Sequence, residues 1–262
     1  MDVADRTVLV TGGGRGIGRA IALGLAQRGA HLVLVGRDEA ALDAACRELD
    51  AVRGASSAAA IAVSCDLSDA RAVDDLAARC RRERPNLAGL VNNAAVQHEL
   101  DLLSGDPHGN VQLAREEIAV DLGAAVTLSV ALLPLLKAQP AAFLCNVTTG
   151  LAFAPKEKAP VYCAAKAGLS AFGVALRYQC ERSAPHVRVC EAIMPLVDTD
   201  MTRGRGRGKI SAEAAAAAVL RAIERDHAEA WVGKAKLLRV LRRVAPGLPE
   251  RMLRGDGFAS GS

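Results

Sequence analysis

The stretch Thr7-Val8-Leu9-Val10-Thr11-Gly12-Gly13-Gly14-Arg15-Gly16-Ile17-Gly18 decides the fold. It opens with a short apolar run rich in β-branched side chains, which predicts a buried strand. A glycine loop follows at once, and residues 19–27 then show a helical pattern. Glycines at positions 12, 16 and 18 permit a tight turn, a close approach of backbone N–H groups to phosphate, and close packing of helix on strand. Because a helix N-terminus attracts anions, the order strand, loop, helix predicts a dinucleotide site.

The end of the second predicted strand, residues 31–35, bears on the choice of dinucleotide. A site for NAD usually has an acidic residue here to bind the ribose 2′-hydroxyl, whereas an arginine can accommodate a 2′-phosphate. Gly36 occupies the acidic position, Arg37 follows it, and Arg15 in the glycine loop can supply a second positive charge. We therefore predict NADP as the cofactor, with NAD the less favoured alternative. Arg37 can also be read as a solvent-facing charge before a helix at residues 39–50.

Strands and helices alternate along the rest of the chain. The pattern predicts further strands at residues 61–65, 89–95, 143–147 and 187–193, and helices at 70–82, 116–136, 164–178 and 212–225. Ser68 and Ser211 are the expected N-caps of two of these helices, and residues 97–111 are expected to form a loop. This alternation predicts one α/β domain, a doubly wound parallel sheet with helices on both faces. Asp66, which follows a strand, is expected either to contact adenine or to serve as a turn or cap residue.

Tyr162 and Lys166 are four residues apart, which places both side chains on one face of a helix. A lysine ammonium beside a phenol favours the phenolate, so the tyrosine can act as a general acid or base. Thr149, at the end of the preceding strand, can hold a carbonyl or alcohol oxygen beside that phenol. The three side chains together predict proton transfer. Taken alone, such a pair is more often an ordinary buried tyrosine and a solvated lysine on an amphipathic helix.

Composition excludes several classes of function. The 262 residues carry a net charge of +4, and aromatic residues make up 3% of the chain, so there is little to stack on bases and nucleic acid is not an expected partner. The seven cysteines are scattered singly, which predicts reduced thiols and no metal site. The N-terminus has no pattern of a signal peptide, and the longest apolar run, residues 124–136, is too short to span a bilayer. We therefore expect a cytoplasmic protein without an integral membrane segment.

These motifs, in this order, resemble those of the short-chain dehydrogenase/reductase family over roughly residues 5–235. They are T-G-x-x-x-G-x-G at residues 11–18, N-N-A-x at 92–95, and Y-x-x-x-K at 162–166. Segments such as Pro160-Val-Tyr-Cys-Ala and the tail from Trp231 are most similar to the oxidoreductases of D-alanyl-lipoteichoic acid operons and their proteobacterial relatives. The resemblance implies a single-domain Rossmann fold over residues 1–262. Its cofactor half is about 5–150, its catalytic and substrate half about 151–235, and a basic C-terminal extension about 236–262.

The resemblance also implies a function, namely hydride transfer between the nicotinamide of NADP and a small carbonyl or alcohol substrate. Tyr162 would be the acid/base, Lys166 would lower its pKa and bind the nicotinamide ribose, and Thr149 would orient the substrate oxygen. The implied catalytic residues are Thr149, Tyr162 and Lys166. The implied cofactor-binding residues are Gly12, Gly14, Arg15, Gly16, Ile17, Gly18, Arg37, Asp66, Leu67, Asn93, Tyr162, Lys166, Val197 and Thr199.

The chain departs from the family pattern at several positions. Thr149 stands where serine is usual, and Asp121 stands where the family has an asparagine that anchors a water in the proton relay. Ala95 replaces a glycine, and Met194-Pro195 replaces Pro-Gly. If the family asparagine acts through its backbone carbonyl, the change to Asp121 is mild; if the carboxylate enters the proton relay, it raises the pKa of Tyr162. Asp121 and Thr149 keep open an alternative function, a non-catalytic NADP-binding sensor or interaction protein.

Two further regions carry expectations about substrate and assembly. The arginine- and glycine-rich loop 203–209 lies where the family has its substrate lid, and its charges can meet a carboxylate or phosphate or be merely solvated. Residues 234–254 are basic with apolar residues at helical spacing, which is typical of packing over an active site, a partner subunit or a membrane surface. The two long apolar helices at 116–136 and 164–178 predict a homodimer or homotetramer.

Overall fold

The computed structural model describes residues 1–53, 59–245 and 247–253. Within them, one sheet contains the seven strands Thr7–Thr11 (β1), His31–Gly36 (β2), Ile61–Ser64 (β3), Leu87–Asn92 (β4), Ala142–Thr149 (β5), Val187–Met194 (β6) and Glu229–Trp231 (β7). The strands are parallel and lie in the order β3-β2-β1-β4-β5-β6-β7. The order reverses between β1 and β4, which is where a sheet of this kind opens a crevice for a ligand.

Helices cover both faces of the sheet. They are Gly16–Ala26 (α1), Glu39–Arg53 (α2), Ala70–Glu83 (α3), Pro107–Ile118 (α4), Ala125–Ala138 (α5), Pro160–Ser183 (α6), Ala212–Glu224 (α7), Ala235–Val244 (α8) and Gly247–Leu253 (α9). The apolar side chains of α1, α2 and α7 pack on one face, and those of α3, α5 and α6 pack on the other. In β1, Val8 and Val10 join the first core and Leu9 joins the second, so the strand is apolar at every one of these positions. The predicted doubly wound α/β fold is confirmed.

The longest helix differs from its predicted bounds. It begins at Pro107, inside the expected loop, because the carboxylate of Asp106 accepts hydrogen bonds from two backbone N–H groups and Pro107 occupies the first turn. A π-helical turn, Ala119–Ala124, then joins α4 to α5 without a break. This continuous segment, Pro107–Ala138, is long and apolar enough by composition to cross a membrane. Its apolar side is occupied by the core, because Leu128, Leu132 and Leu136 are fully buried beneath the sheet.

The helix caps were predicted with mixed success. Ser211 caps α7 as expected, its hydroxyl accepting a hydrogen bond from the N–H of Ala214 at 3.1 Å. The expected cap at Ser68 is wrong, because Asp69 caps α3 by accepting from the N–H of Arg71. Ser68 instead donates its hydroxyl to the carboxylate of Asp66 at 2.8 Å. The sequence also missed β7, whose three residues are too few to show a strand pattern.

Candidate active site

A cavity of about 1400 Å³ opens at the carboxyl ends of β1, β2, β4, β5 and β6. Typical sites for drug-sized ligands hold roughly 300–1,000 Å³, so this one has room for a dinucleotide and a further molecule. The predicted site residues that line it are Gly12, Gly14, Arg15, Gly16, Ile17, Arg37, Asp66, Leu67, Asn93, Thr149, Tyr162, Lys166, Val197 and Thr199. The fold therefore brings residues from most of the chain to one crevice.

The glycine loop has a backbone that only glycine adopts with ease. Gly12 and Gly16 have φ values of +66° and +53°, in the left-handed region. The helix α1 begins at Gly16, so its first N–H groups belong to residues that border the cavity. Gly18 does not border it, contrary to its predicted contact with the cofactor. A Cβ at Gly18 would lie 2.2 Å from the carbonyl oxygen of Gly12, so this glycine serves the packing of loop on helix.

Asn93 fastens the glycine loop to the neighbouring strand. Its side-chain amide donates to the carbonyl oxygen of Thr11 at 3.0 Å. The hydroxyl of Thr11 in turn accepts hydrogen bonds from the N–H groups of Asn93 and Ala94, at 2.9 and 3.0 Å. The amide of Asn93 is thus already engaged with protein atoms, and its contribution to a cofactor site is to hold the loop in shape.

Charged residues stand at the adenosine end of the crevice, beyond β2 and β3. Arg37 is half exposed and forms an ion pair with Glu116, with 3.2 Å between Nη1 and Oε1. Hydrogen bonds from Ser68 hold the pKa of Asp66 below its ordinary value, with Arg37 a weaker contributor. Asp66 is therefore a turn residue, as one of the two readings expected, and it also lines the cavity.

Thr149, Tyr162 and Lys166 meet at the other end of the crevice. Thr149 ends β5, and its hydroxyl accepts a hydrogen bond from the N–H of Leu151 at 3.2 Å. Tyr162 lies in the first turn of α6, which begins at Pro160, earlier than the predicted residue 164. The buried ammonium of Lys166 donates to the carbonyl oxygen of Val147 at 3.3 Å and lies 5.9 Å from the centre of the Tyr162 ring. The helical spacing thus places both side chains at one site.

Asp121 lies in the π-helical turn and is fully buried behind this group. Its Oδ1 accepts a hydrogen bond from the N–H of Val96 at 2.8 Å. Its Oδ2 has no hydrogen-bond partner among the described residues and lies 3.9 Å from Nζ of Lys166. Burial raises the pKa of Asp121 to about 7, against the opposing effect of Lys166. A titratable carboxyl therefore stands directly beside the predicted catalytic lysine.

The pKa of Tyr162 shifts in the direction opposite to that expected from its lysine neighbour. Burial and then the Asp121 carboxylate raise it above the ordinary value, while Arg205 acts weakly the other way. Burial also lowers the pKa of Lys166, which weakens the positive charge available to stabilise a phenolate. The lysine neighbour is visible in the sequence, whereas the burial that shifts both pKa values is not.

Loops after two strands meet over the crevice. Val197 pairs with Ile210 through an isolated bridge, and Thr199 begins a short 3₁₀ turn. A Cβ added to Gly16 would come within 3.2 Å of the Thr199 methyl group, so the loop after β6 touches the glycine loop. The residues that depart from the family pattern, Ala95, Met194 and Pro195, line the same cavity.

No sequence pattern pointed to Glu117, which lies one helical turn before Asp121 and is fully buried. It accepts a hydrogen bond from the N–H of His98 at 2.5 Å, and burial raises its pKa. Its Oε2 has no hydrogen-bond partner among the described residues. Glu117 thus holds the loop after β4 through His98, and an acidic residue in a helical pattern does not reveal such a contact in advance.

Comparison with known proteins agrees with this geometry. A family model described as short chain dehydrogenase matches residues 6–209. The chain belongs to the short-chain dehydrogenase/reductase family. Among curated proteins it is similar to an uncharacterized oxidoreductase, DltE, of Bacillus subtilis, at 37% identity over 203 residues that cover 78% of this chain and 76% of DltE. The expected likeness to an oxidoreductase of a D-alanyl-lipoteichoic acid operon is confirmed.

Solved structures of the same family share the fold. A short chain dehydrogenase from Burkholderia cenocepacia in complex with NADP superposes with a TM-score of 0.81 at 23% identity, covering 97% of this chain and 99% of the other. A family member from Burkholderia phymatum in complex with NAD gives a TM-score of 0.82 at 21% identity, covering 95% and 96%. The protein is accordingly an NAD(P)-dependent dehydrogenase/reductase that acts on small molecules.

Proposed function

We propose that this protein is an NADP-dependent carbonyl reductase in which Tyr162 transfers the proton. The observation that carries the proposal is that Tyr162, Lys166 and Thr149 border the same cavity as the glycine loop. A dinucleotide held at that loop reaches along the crevice toward Tyr162, and a substrate oxygen held by Thr149 would meet the phenol there. Bound NADPH supplies the hydride in this reaction.

The state of Tyr162 suits the donation of a proton. Burial and Asp121 raise the pKa of Tyr162, so the phenol keeps its proton at neutral pH. Carbonyl reduction needs a proton donor for the oxygen that gains negative charge, and a protonated phenol is such a donor. Lys166, held by the carbonyl of Val147, is placed to bind the nicotinamide ribose.

The features next to β2 support a preference for NADP. The family relatives with solved structures contain NADP in one case and NAD in another. In this chain Gly36 takes the position of the acidic residue that would repel a 2′-phosphate, and Arg37 lines the cavity directly after it. Arg15 borders the same end. The arginine pair fits a phosphate better than a hydroxyl.

We also propose that the protein works as a homodimer or homotetramer in the cytoplasm. Four large apolar side chains on α4, α5 and α6 are about half exposed or more, and they are Val111, Ile118, Val130 and Tyr178. These are the helices that the sequence analysis assigned to a subunit interface. A second copy of the chain would cover side chains that a lone subunit exposes to water.

The test of the reaction is Tyr162→Phe, which removes the proton donor and keeps the ring. We expect NADPH-dependent reduction of a panel of ketones and aldehydes to fall by at least about 100-fold, as for loss of a general acid. Tyr178→Phe is the matched control, because Tyr178 is on the same helix and exposed. NADPH binding, followed by cofactor fluorescence, should survive in both variants.

Two outcomes would contradict the proposal. Unchanged turnover in Tyr162→Phe would remove Tyr162 from the mechanism. A wild-type protein that binds NADPH and oxidises it with no carbonyl compound of the panel would favour a sensor or interaction protein instead.

A further inference from the structure

The part of the cavity beyond Tyr162 has one apolar wall. Leu237, Leu238 and Leu241 of α8 line it, together with Leu253 of α9. Helix α8 lies close to the catalytic turn, because a Cβ added to Gly150 would come within 2.9 Å of the Leu238 side chain. The basic C-terminal segment therefore packs over the active site, one of the roles expected from its sequence.

Another part of the lining is cationic and comes from the arginine- and glycine-rich loop 203–209 and from Lys234, which directly precedes α8. Arg205, Arg207 and Lys234 line the cavity there. The ammonium of Lys234 is close to the loop, since a Cβ added to Gly208 would lie 2.6 Å from its Nζ. Three cations thus border the region next to the reactive group.

The cationic side chains of this loop differ in whether an acidic residue pairs with them. Arg203 forms an ion pair with Asp200, and Lys209 pairs with Asp198 at 3.2 Å. Arg205 donates instead to the side-chain oxygen of Gln97 at 2.9 Å and to the carbonyl oxygen of Met201. Within the described part of the chain its hydrogen bonds therefore go to neutral oxygens. Its positive charge stays available to the cavity, with Glu99 and Asp200 the acidic residues that also line this end.

Hydrogen bonds hold the Arg205 side chain in position, and it lines the same cavity as Tyr162. Gln97 belongs to the loop that follows β4 and contains Val96, the backbone donor to Asp121. The guanidinium is close enough to Tyr162 to act on its pKa, although burial and Asp121 have larger effects of the opposite sign. A guanidinium already held by neutral partners loses little freedom when it binds an anion.

We propose that the substrate is an anionic carbonyl compound whose carboxylate or phosphate binds Arg205, supported by Arg207 and Lys234, while an apolar portion lies against α8. The proposal rests on the reductase function and adds the class of its substrate. Because Arg205 and Tyr162 line the same cavity, one small molecule can place its anionic group at Arg205 and its carbonyl at Tyr162. The apolar wall favours a hydrocarbon or aryl segment over a sugar.

Matched pairs of ketones test the proposal. One pair is 2-oxo-4-phenylbutanoate and its neutral ethyl ester, and the other is 2-oxo-4-phenylbutyl phosphate and the corresponding free alcohol. We expect the wild type to have the higher kcat/KM for the charged member of at least one pair. Arg205→Gln should lower kcat/KM for that anion by at least about tenfold more than for the neutral member, the scale of one lost charge-assisted hydrogen bond.

Arg203→Gln is the matched control, because Arg203 is in the same loop and is paired with Asp200. It should leave both members of each pair unchanged. Binding of the anionic ketones to the NADP-loaded protein, measured by calorimetry, gives a second readout that needs no turnover, and Arg205→Gln should weaken it to the same extent. The charged ketone whose kcat/KM falls more in Arg205→Gln shows whether Arg205 binds a carboxylate or a phosphate.

The outcomes separate this inference from the proposed function. One contrary outcome is that the protein reduces the neutral ketones and prefers neither anion. Another is that Arg205→Gln lowers kcat/KM equally for the charged and the neutral ketone. Either outcome would overturn the anion site and would leave the reductase function unaffected. The protein could instead turn over none of these ketones and still bind an anion in a way that requires Arg205. That result would contradict the reductase function and support the anion site. Neither turnover nor anion binding would overturn both.

Discussion

Asp121 places a second titratable carboxyl next to Lys166, 3.9 Å from its ammonium. An asparagine at this position, as in the family pattern, would be neutral at every pH. Burial raises the pKa of this carboxyl to about 7, so its charge changes near neutral pH. Once ionised, it raises the pKa of Tyr162. A single side chain therefore makes the protonation of the acid/base depend on that of a neighbour.

The pH dependence of alcohol oxidation tests this coupling, because oxidation requires the Tyr162 phenolate. In Asp121→Asn the negative charge that raises the pKa of Tyr162 is gone, so the phenolate forms at lower pH. We expect the rising limb of kcat/KM for oxidation to move down by about one pH unit. Asp75→Asn on the exposed side of α3 is the control and should not move it. A limb that stays in place, or moves up, would show that Asp121 does not act on Tyr162.

Arg37 carries the cofactor preference at the residue scale. Arg37→Asp should weaken NADPH binding by at least about tenfold more than NADH binding, since a carboxylate repels a 2′-phosphate and can accept from a 2′-hydroxyl. Dissociation constants from cofactor fluorescence measure both. Arg19→Asp serves as the control, because Arg19 is exposed and paired with Glu48. Equal losses of the two cofactors would refute the assignment of the phosphate to Arg37.

At the scale of elements, the π-helical turn Ala119–Ala124 contains Asp121 and begins two residues after Glu117. Both acidic residues are buried in a helix that is otherwise apolar toward the sheet. π-helical turns occur inside α-helices frequently at functional sites, because the extra residue shifts the side chains that follow. Here the turn lies between α4 and α5, at the level of the cavity. The helical periodicity of the sequence continues through it and gives no sign of the change.

The cap of α7 gives a prediction at this scale. Ser211→Ala should lower the free energy of unfolding by about 1 kcal/mol, because the N–H of Ala214 loses its side-chain partner. Urea denaturation at neutral pH measures the difference. Ser211→Asn preserves an acceptor and should remain close to the wild type, whereas equal losses in the two variants would argue against the hydrogen bond as the cause.

At the scale of the whole molecule, the exposed apolar side chains of α4, α5 and α6 favour contact with a second subunit. Val130 is 60% exposed and Tyr178 is 64% exposed, although both belong to helices whose other faces are in the core. Burying such side chains against a second subunit removes apolar surface from water and stabilises the assembly by about 25 cal/mol per Å². The open cavity does not depend on these residues, since none of them lines it.

Light scattering on the purified protein tests this assembly, with a dimer or tetramer expected. Val130→Glu should shift the population toward a smaller species, because a carboxylate placed in an apolar interface must be desolvated. Val52→Glu is the control, since Val52 is 44% exposed on α2, away from these helices. A wild type that is monomeric at all concentrations would rule the interface out.

The sequence by itself determined the fold and the identity of most candidate site residues. The glycine loop, the strand and helix alternation and the spacing of Tyr162 and Lys166 are local patterns, and local backbone geometry acts on them directly. The same reasoning placed Thr149 and Asn93 at the correct sheet edge, because the carboxyl ends of parallel strands share one edge.

Only the tertiary structure decided the electrostatics of the site. Burial, which no local pattern reports, set the directions of the pKa shifts of Tyr162, Lys166 and Asp121. The tertiary structure also brought Arg205 to Gln97, 108 residues away along the chain. Contacts of such long range depend on how the helices and loops pack over the sheet, and the desolvation that follows acts on each ionisable group according to its depth. The sequence thus specified which chemical groups are present, and the packing determined their charge and their neighbours.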